Sequence, residues 1–77
     1  MRQYTYEQVA QALKRLEFVA TRQSHHTMWE KLGVEGTARR VILRNEKLAK
    51  IPYAVLQRLL SHAGISEQEL REALGWR

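Results

Sequence analysis

Two stretches near opposite ends of the chain carry the same apolar spacing, and that repetition limits what the chain can fold into. Val9, Ala12, Leu13 and Leu16 fall at i, i+3, i+4 and i+7, and so do Leu56, Leu59, Leu60 and Ala63. On an α-helix each set makes one stripe that must be buried against something else. Thr5 and Gln8 have the N-cap and N3 spacing of a capping box, which predicts a first helix over about 5–17. Pro52 fits the first position of the second helix, where its missing N–H costs nothing. Gly64 stops that helix, and Ile65 sits where a Schellman motif packs back against Leu60. Ser66 and Glu69 repeat the capping-box spacing and open a short third helix through Leu70, Ala73 and Leu74, which Gly75 ends.

Between the stripes the pattern changes. Phe18-Val19-Ala20-Thr21 is aromatic and β-branched and reads as a short strand. Gln23 to His26 is polar enough to turn, and Thr27 to Leu32 suits a second strand. Gly33-Val34-Glu35-Gly36 is a hairpin signal. Thr37 to Arg44 supplies a third strand, with Val41-Ile42-Leu43 its most β-prone triplet, and Glu46 to Ile51 is a loop. Three strands joined by short turns favour an antiparallel meander. The expected architecture is a single α+β domain over residues 1–77, in the order α-β-β-β-α. Its helices pack on one face of a three-stranded antiparallel sheet, and a short C-terminal helix is added.

A chain of 77 residues buries only about 60% of the surface its unfolded form exposes, so a deep cleft between domains is not expected. Cysteine is absent, which excludes disulfides and thiolate metal sites. Aspartate is absent too, so no Ser-His-Asp triad can be written. Gly33 and Gly36 lack the following Lys-Ser/Thr of a phosphate loop. A zinc site would need His25, His26, His62 and a carboxylate to converge, yet adjacent histidines on a strand point to opposite faces. No metal or other cofactor is expected. The longest apolar stretch falls well short of ~18 residues, and no apolar signal segment follows Met1. We therefore expect a soluble intracellular protein with no membrane partner.

Thirteen Lys and Arg against eight Glu give a net charge of +5. The excess is confined to residues 1–62, with eleven basic and five acidic groups, whereas residues 63–77 hold two and three. Such a field suits a polyanionic partner: nucleic acid, an acidic protein, or both.

The only side chains suited to proton transfer near neutral pH are the histidines, and two stand together in Ser24-His25-His26. Cleaving RNA without a metal asks for little more. A base removes the ribose 2′-hydroxyl proton, that oxygen attacks the adjacent phosphorus, and cations stabilise the developing charge. On this chemistry alone, two ordinary polar residues at a strand start are the simpler account.

A family resemblance adds to this reading. The amphipathic first helix, the Phe18-Val19 strand and Ser24-His25-His26, followed by Lys50-Ile51-Pro52, Leu56, Leu59-Leu60 and Ala63-Gly64-Ile65-Ser66, resemble the HicA-type mRNA interferase toxins of bacterial toxin–antitoxin pairs. The similarity spans roughly residues 6–70. It implies a double-stranded-RNA-binding-domain-like fold, metal-independent endoribonuclease activity on mRNA, cytoplasmic location and a HicB-type antitoxin as partner. Matched by position, the family's catalytic histidine is His25, its hydroxyl residue is Ser24, and His26 is a common but less demanded second histidine, with a positional or at most RNA-contacting role. Gln23 stands where the family usually has Gly. Leu43-Arg44-Asn45-Glu46 replaces a Pro-His pair common after the third strand.

Arg22, Lys31, Arg40 and Arg44 are the cations expected to hold phosphate, with Arg39 beside them. As plain surface charges they would line a solvated sheet face. Arg40 and Arg44 share a strand face opposite Val41 and Leu43, which favours a binding role for those two. Tyr4, Tyr6, Trp29 and Tyr53 could stack bases, Trp29 best, if a straight strand puts it on the side of His25. Packing in the core is the simpler role for them. Two other readings stand beside the nuclease. One is a non-catalytic RNA-binding module or decayed toxin of the same fold. The other is a DNA-binding helix over Pro52–Ala63, with only Gln57, Arg58 and His62 to offer base edges.

Overall fold

The computed structural model describes residues 3–33, 38–46 and 48–76. Its elements are α1 (Tyr6–Arg15), β1 (Val19–Arg22), β2 (His26–Leu32), β3 (Ala38–Arg44), α2 (Tyr53–Ala63) and α3 (Glu67–Ala73). The hairpin signal at Val34 to Gly36, and Thr37, lie outside the described residues.

The helix boundaries follow from their caps. Thr5 Oγ1 accepts from the Gln8 amide at 3.2 Å, and Gln8 Oε1 accepts from the Thr5 amide at 2.9 Å. Ser66 and Glu69 make the same reciprocal pair at 3.1 and 3.0 Å. Helix α1 ends at Arg15 instead of continuing to Glu17, because Glu17 turns into the left-handed region at φ 71°. The Phe18 amide then bonds to Leu13 O and the Glu17 amide to Lys14 O, which is the Schellman pattern. Gly64 (φ 71°) and Gly75 (φ 76°) end α2 and α3 through the same pair of bonds. Pro52 is the N-cap of α2 and not its first helical residue. Its ψ of 146° keeps it extended, and the helix starts at Tyr53.

The strands form one antiparallel sheet in the order β1-β2-β3. Trp29 pairs with Val41 and Thr27 with Leu43, and cross-strand partners share a face. Trp29, Val41 and Leu43 are buried against Val9 and Leu13 of α1 and Leu56, Leu59 and Leu60 of α2. The two long helices thus cover one face of the sheet, as expected. Helix α3 packs on α1. It is held there by Tyr4, which stacks on Trp76 (centroids 5.3 Å apart) and donates to Glu67 Oε2 at 3.2 Å. The other face of the sheet carries Val19, Met28, Leu32 and Ile42, and among the described residues no helix lies over it; Ile42 is 58% exposed. Among the described residues no helix is long and apolar enough to cross a membrane.

Candidate functional site

The polar residues 23–26 make the turn expected between β1 and β2, closed by the Gln23 amide donating to His26 O at 2.8 Å. Ser24, His25 and His26 are all exposed there. They line a shallow concavity with Arg44, Asn45 and Glu46 from the end of β3. The register explains this meeting. His26 is the Cα partner of Arg44, so the residues just beyond each strand end fall side by side.

Asn45 holds the turn in place, a role that sequence reading did not assign. Its amide N–H donates to His25 O at 3.0 Å, its Nδ2 donates to Gln23 O at 3.1 Å, and its Oδ1 accepts from Thr27 Oγ1 at 2.6 Å. One residue thus fixes the backbone on both sides of Ser24, its side chain holding Gln23 and its main-chain N–H holding His25. The local signal was present, since Asn favours such backbone-bonding positions at strand ends. Its partners, however, are 18 and 22 residues away.

The expected cations do not gather on one surface. Arg44 and Arg40 share the open face with His26, as their alternation with Val41 and Leu43 requires. They are four positions apart along the strand, about 14 Å at ~3.4 Å per residue. Arg22 is the Cα partner of Thr27 and Lys31 that of Arg39, which places both on the helix-covered side. Arg22 stays at the His25 end of the sheet. Lys31 lies at the far end, its Nζ 5.8 Å from the Phe18 ring centroid. Of the six residues expected to bind substrate, Ser24, His26, Arg44 and Arg22 stand with or beside His25, whereas Arg40 and Lys31 lie farther along the sheet.

Both open-face arginines have carboxylate partners. Arg40 Nε donates to Glu30 at 2.8 Å and Arg44 Nη2 to Glu46 at 2.9 Å. More than half of each arginine side chain is exposed, and exposed pairs contribute only about 0.2–1 kcal/mol. A phosphate can therefore displace either carboxylate at small cost. Trp29 packs into the core rather than on the side of His25, which lies outside the strand in the turn. Tyr4 and Tyr6 are buried as well, and among the four candidate aromatics Tyr53 alone is half exposed. His62 is exposed in the last turn of α2, far in sequence from the other two histidines. Among the described residues no three His or Glu side chains group as metal ligands.

Compared with known proteins, the chain matches no family model and no curated protein sequence.

Proposed function

We propose that this protein is a metal-independent endoribonuclease of the HicA type, the toxin of a toxin–antitoxin pair, with His25 as its catalytic residue. The observation that carries the reading is the His25 turn. Exposed His25 lines one concavity with Ser24, His26, Arg44 and Glu46, on a backbone that Asn45 holds in place. In the reaction His25 removes the 2′-hydroxyl proton. The 2′-oxygen bonds to phosphorus, the bond from phosphorus to the 5′-oxygen breaks, and that oxygen takes a proton from water while His25 returns its own to solvent. The products are a 2′,3′-cyclic phosphate and a 5′-hydroxyl. Among the described residues Arg44 and Arg22 are cations at the same sheet end, placed to meet the charge on the phosphoryl oxygens, with Ser24 and His26 contacting the backbone. Lys31 and Arg40 extend the track along the sheet.

The natural partner on this reading is a HicB-type antitoxin in the cytoplasm. Its acidic surface covers the basic end of the sheet and His25 with it. The test uses end-labelled single-stranded RNA in excess EDTA. Cleavage ending in a cyclic phosphate, lost in His25→Ala, is the expected result. Full cleavage by His25→Ala would overturn the assignment.

One observation favours the non-catalytic alternative. Among the described residues the His25 side chain has no hydrogen-bond partner to orient its ring, whereas catalytic bases are commonly held by a third group. On that alternative RNA binds with a steep salt dependence and is recovered intact with either residue at position 25.

A further inference from the structure

Hydrogen bonds at the turn fix which backbone groups of β3 point away from the sheet. The Asn45 amide donates to His25 O, and the register that pairs His26 with Arg44 puts these two residues opposite each other. In an antiparallel ladder, bonded pairs alternate with unbonded ones. Leu43, Val41 and Arg39 therefore bond to β2, whereas Ala38, Arg40, Ile42 and Arg44 turn both N–H and C=O outward. The bond from the Gln23 amide to His26 O agrees, because it commits the even-numbered residues of β2 to β1. Among the described residues no strand and no backbone bond meets the outward groups of β3. The free edge of β1 is shorter, with only Ala20 and Arg22 turned out.

The side chains of those four residues lie together on the open face of the sheet. Arg40, Ile42 and Arg44 are exposed, and with Arg39 the strand carries three arginines and no acidic residue. Natural sheets shield such an edge with Pro, Lys, a bulge or a covering element. Between Ala38 and Arg44 there is no Pro, no Lys and no break in the pairing with β2. The arginines shield the edge selectively. A second copy laid along it would bring six guanidiniums together, three from each strand, with no carboxylate from either. RNA meets a different obstacle. Its phosphates accept hydrogen bonds but do not donate them, so the outward carbonyls would stay unpaired.

We propose that the β3 edge takes a fourth strand from an acidic protein partner. A peptide strand satisfies outward N–H and C=O groups alike. Cross-strand neighbours share a face, so the incoming residue opposite Ile42 is apolar. The residues two places to either side of it stand opposite Arg40 and Arg44 and are carboxylates. Each arginine already bonds to a carboxylate, Glu30 or Glu46, through one nitrogen, which leaves guanidinium N–H groups for a second. The proposal rests on the reading that gives the chain an acidic protein partner, and adds where and by what geometry that partner docks. It does not require that RNA be cut.

The test titrates the full ¹⁵N-labelled chain with an end-blocked synthetic peptide, Ser-Thr-Glu-Thr-Ile-Thr-Glu-Thr-Ser, which reads the same in both directions. The peptide should bind saturably and slow hydrogen exchange at the Arg40, Ile42 and Arg44 amides by at least about tenfold. The Val41 and Leu43 amides, already bonded to β2, should change least. The same peptide with Lys in place of Glu should bind at least about tenfold more weakly. Ile42→Pro removes one outward N–H at an edge position where a fold tolerates proline, and should abolish binding by the folded chain. Should that variant not fold, Arg40→Glu with Arg44→Glu should reverse the preference between the two peptides. No binding of the Glu peptide, equal binding of the Lys one, or binding that leaves the three amides unprotected overturns the proposal. Equal protection of those amides by oligouridylate also overturns it, by making the edge an RNA track. A chain that takes the peptide yet cuts no RNA upholds the edge and sinks the nuclease; one that cuts RNA but ignores the peptide does the reverse.

Discussion

Successive residues of β3 show two uses of one strand. Val41 and Leu43 point into the core and are 1% and 2% exposed, whereas Arg40, Ile42 and Arg44 point to the uncovered side. The covered face holds the domain together, and the open face has no folding task. That surface, with Arg40, Ile42 and Arg44 exposed, is where we propose a partner acts, and the two faces should therefore answer differently to substitution.

The largest contrast is expected at adjacent positions. Leu43→Ala should cost about 2–5 kcal/mol, the range for buried leucines. Ile42→Ala should stay within about 1 kcal/mol in the same denaturant titration, because most of its side chain already meets water. Equal losses at the two positions would break the division into faces. Gly64→Ala comes next, at about 1–2 kcal/mol. The left-handed φ penalises a Cβ, and that atom would lie 3.0 Å from Nε of Arg39, a covered-side residue whose side chain lies beside the end of α2. Glu17→Gly should act in the opposite direction, raising stability by about 0.5–1 kcal/mol, because φ 71° suits glycine. A loss at this position would show that the Glu17 side chain has a role beyond ending α1. Smallest in stability is Arg44→Ala, expected within about 0.5 kcal/mol. Its effect should appear instead in RNA affinity, with the slope of log K against log salt falling by about one unit. An unchanged slope would remove Arg44 from the phosphate track.

These contrasts also mark how far the residues could be read without coordinates. Both capping boxes, both apolar stripes and the antiparallel meander follow from local spacing, and each stands in the structure as expected. Glu17 hid the end of α1, since nothing but its backbone shows it in a place that glycine usually takes. Pro52 fits either of two neighbouring positions, and its extended ψ decides for the cap. The cations were harder for a different reason. Alternation shows that Arg40 and Arg44 share a face, but only the register shows that Arg22 and Lys31 face the helices, because a one-residue slip exchanges the faces. Asn45 was illegible as a clamp because its side-chain partners, in the β1–β2 turn and at the start of β2, lie 22 and 18 residues away. His25 was legible as a candidate only through the family resemblance around Ser24-His25-His26, since the chemistry alone favours an ordinary polar residue there.

The central claim is that a turn contributing little to folding carries the chemistry. Cleavage of a labelled RNA under single-turnover conditions in EDTA, by the native chain and by His25→Ala, tests it most directly. The account predicts a rate at least about 10²-fold lower in the variant, with unfolding free energies within about 0.5 kcal/mol of each other. Equal cleavage rates, or a variant that loses its fold along with its activity, would contradict it.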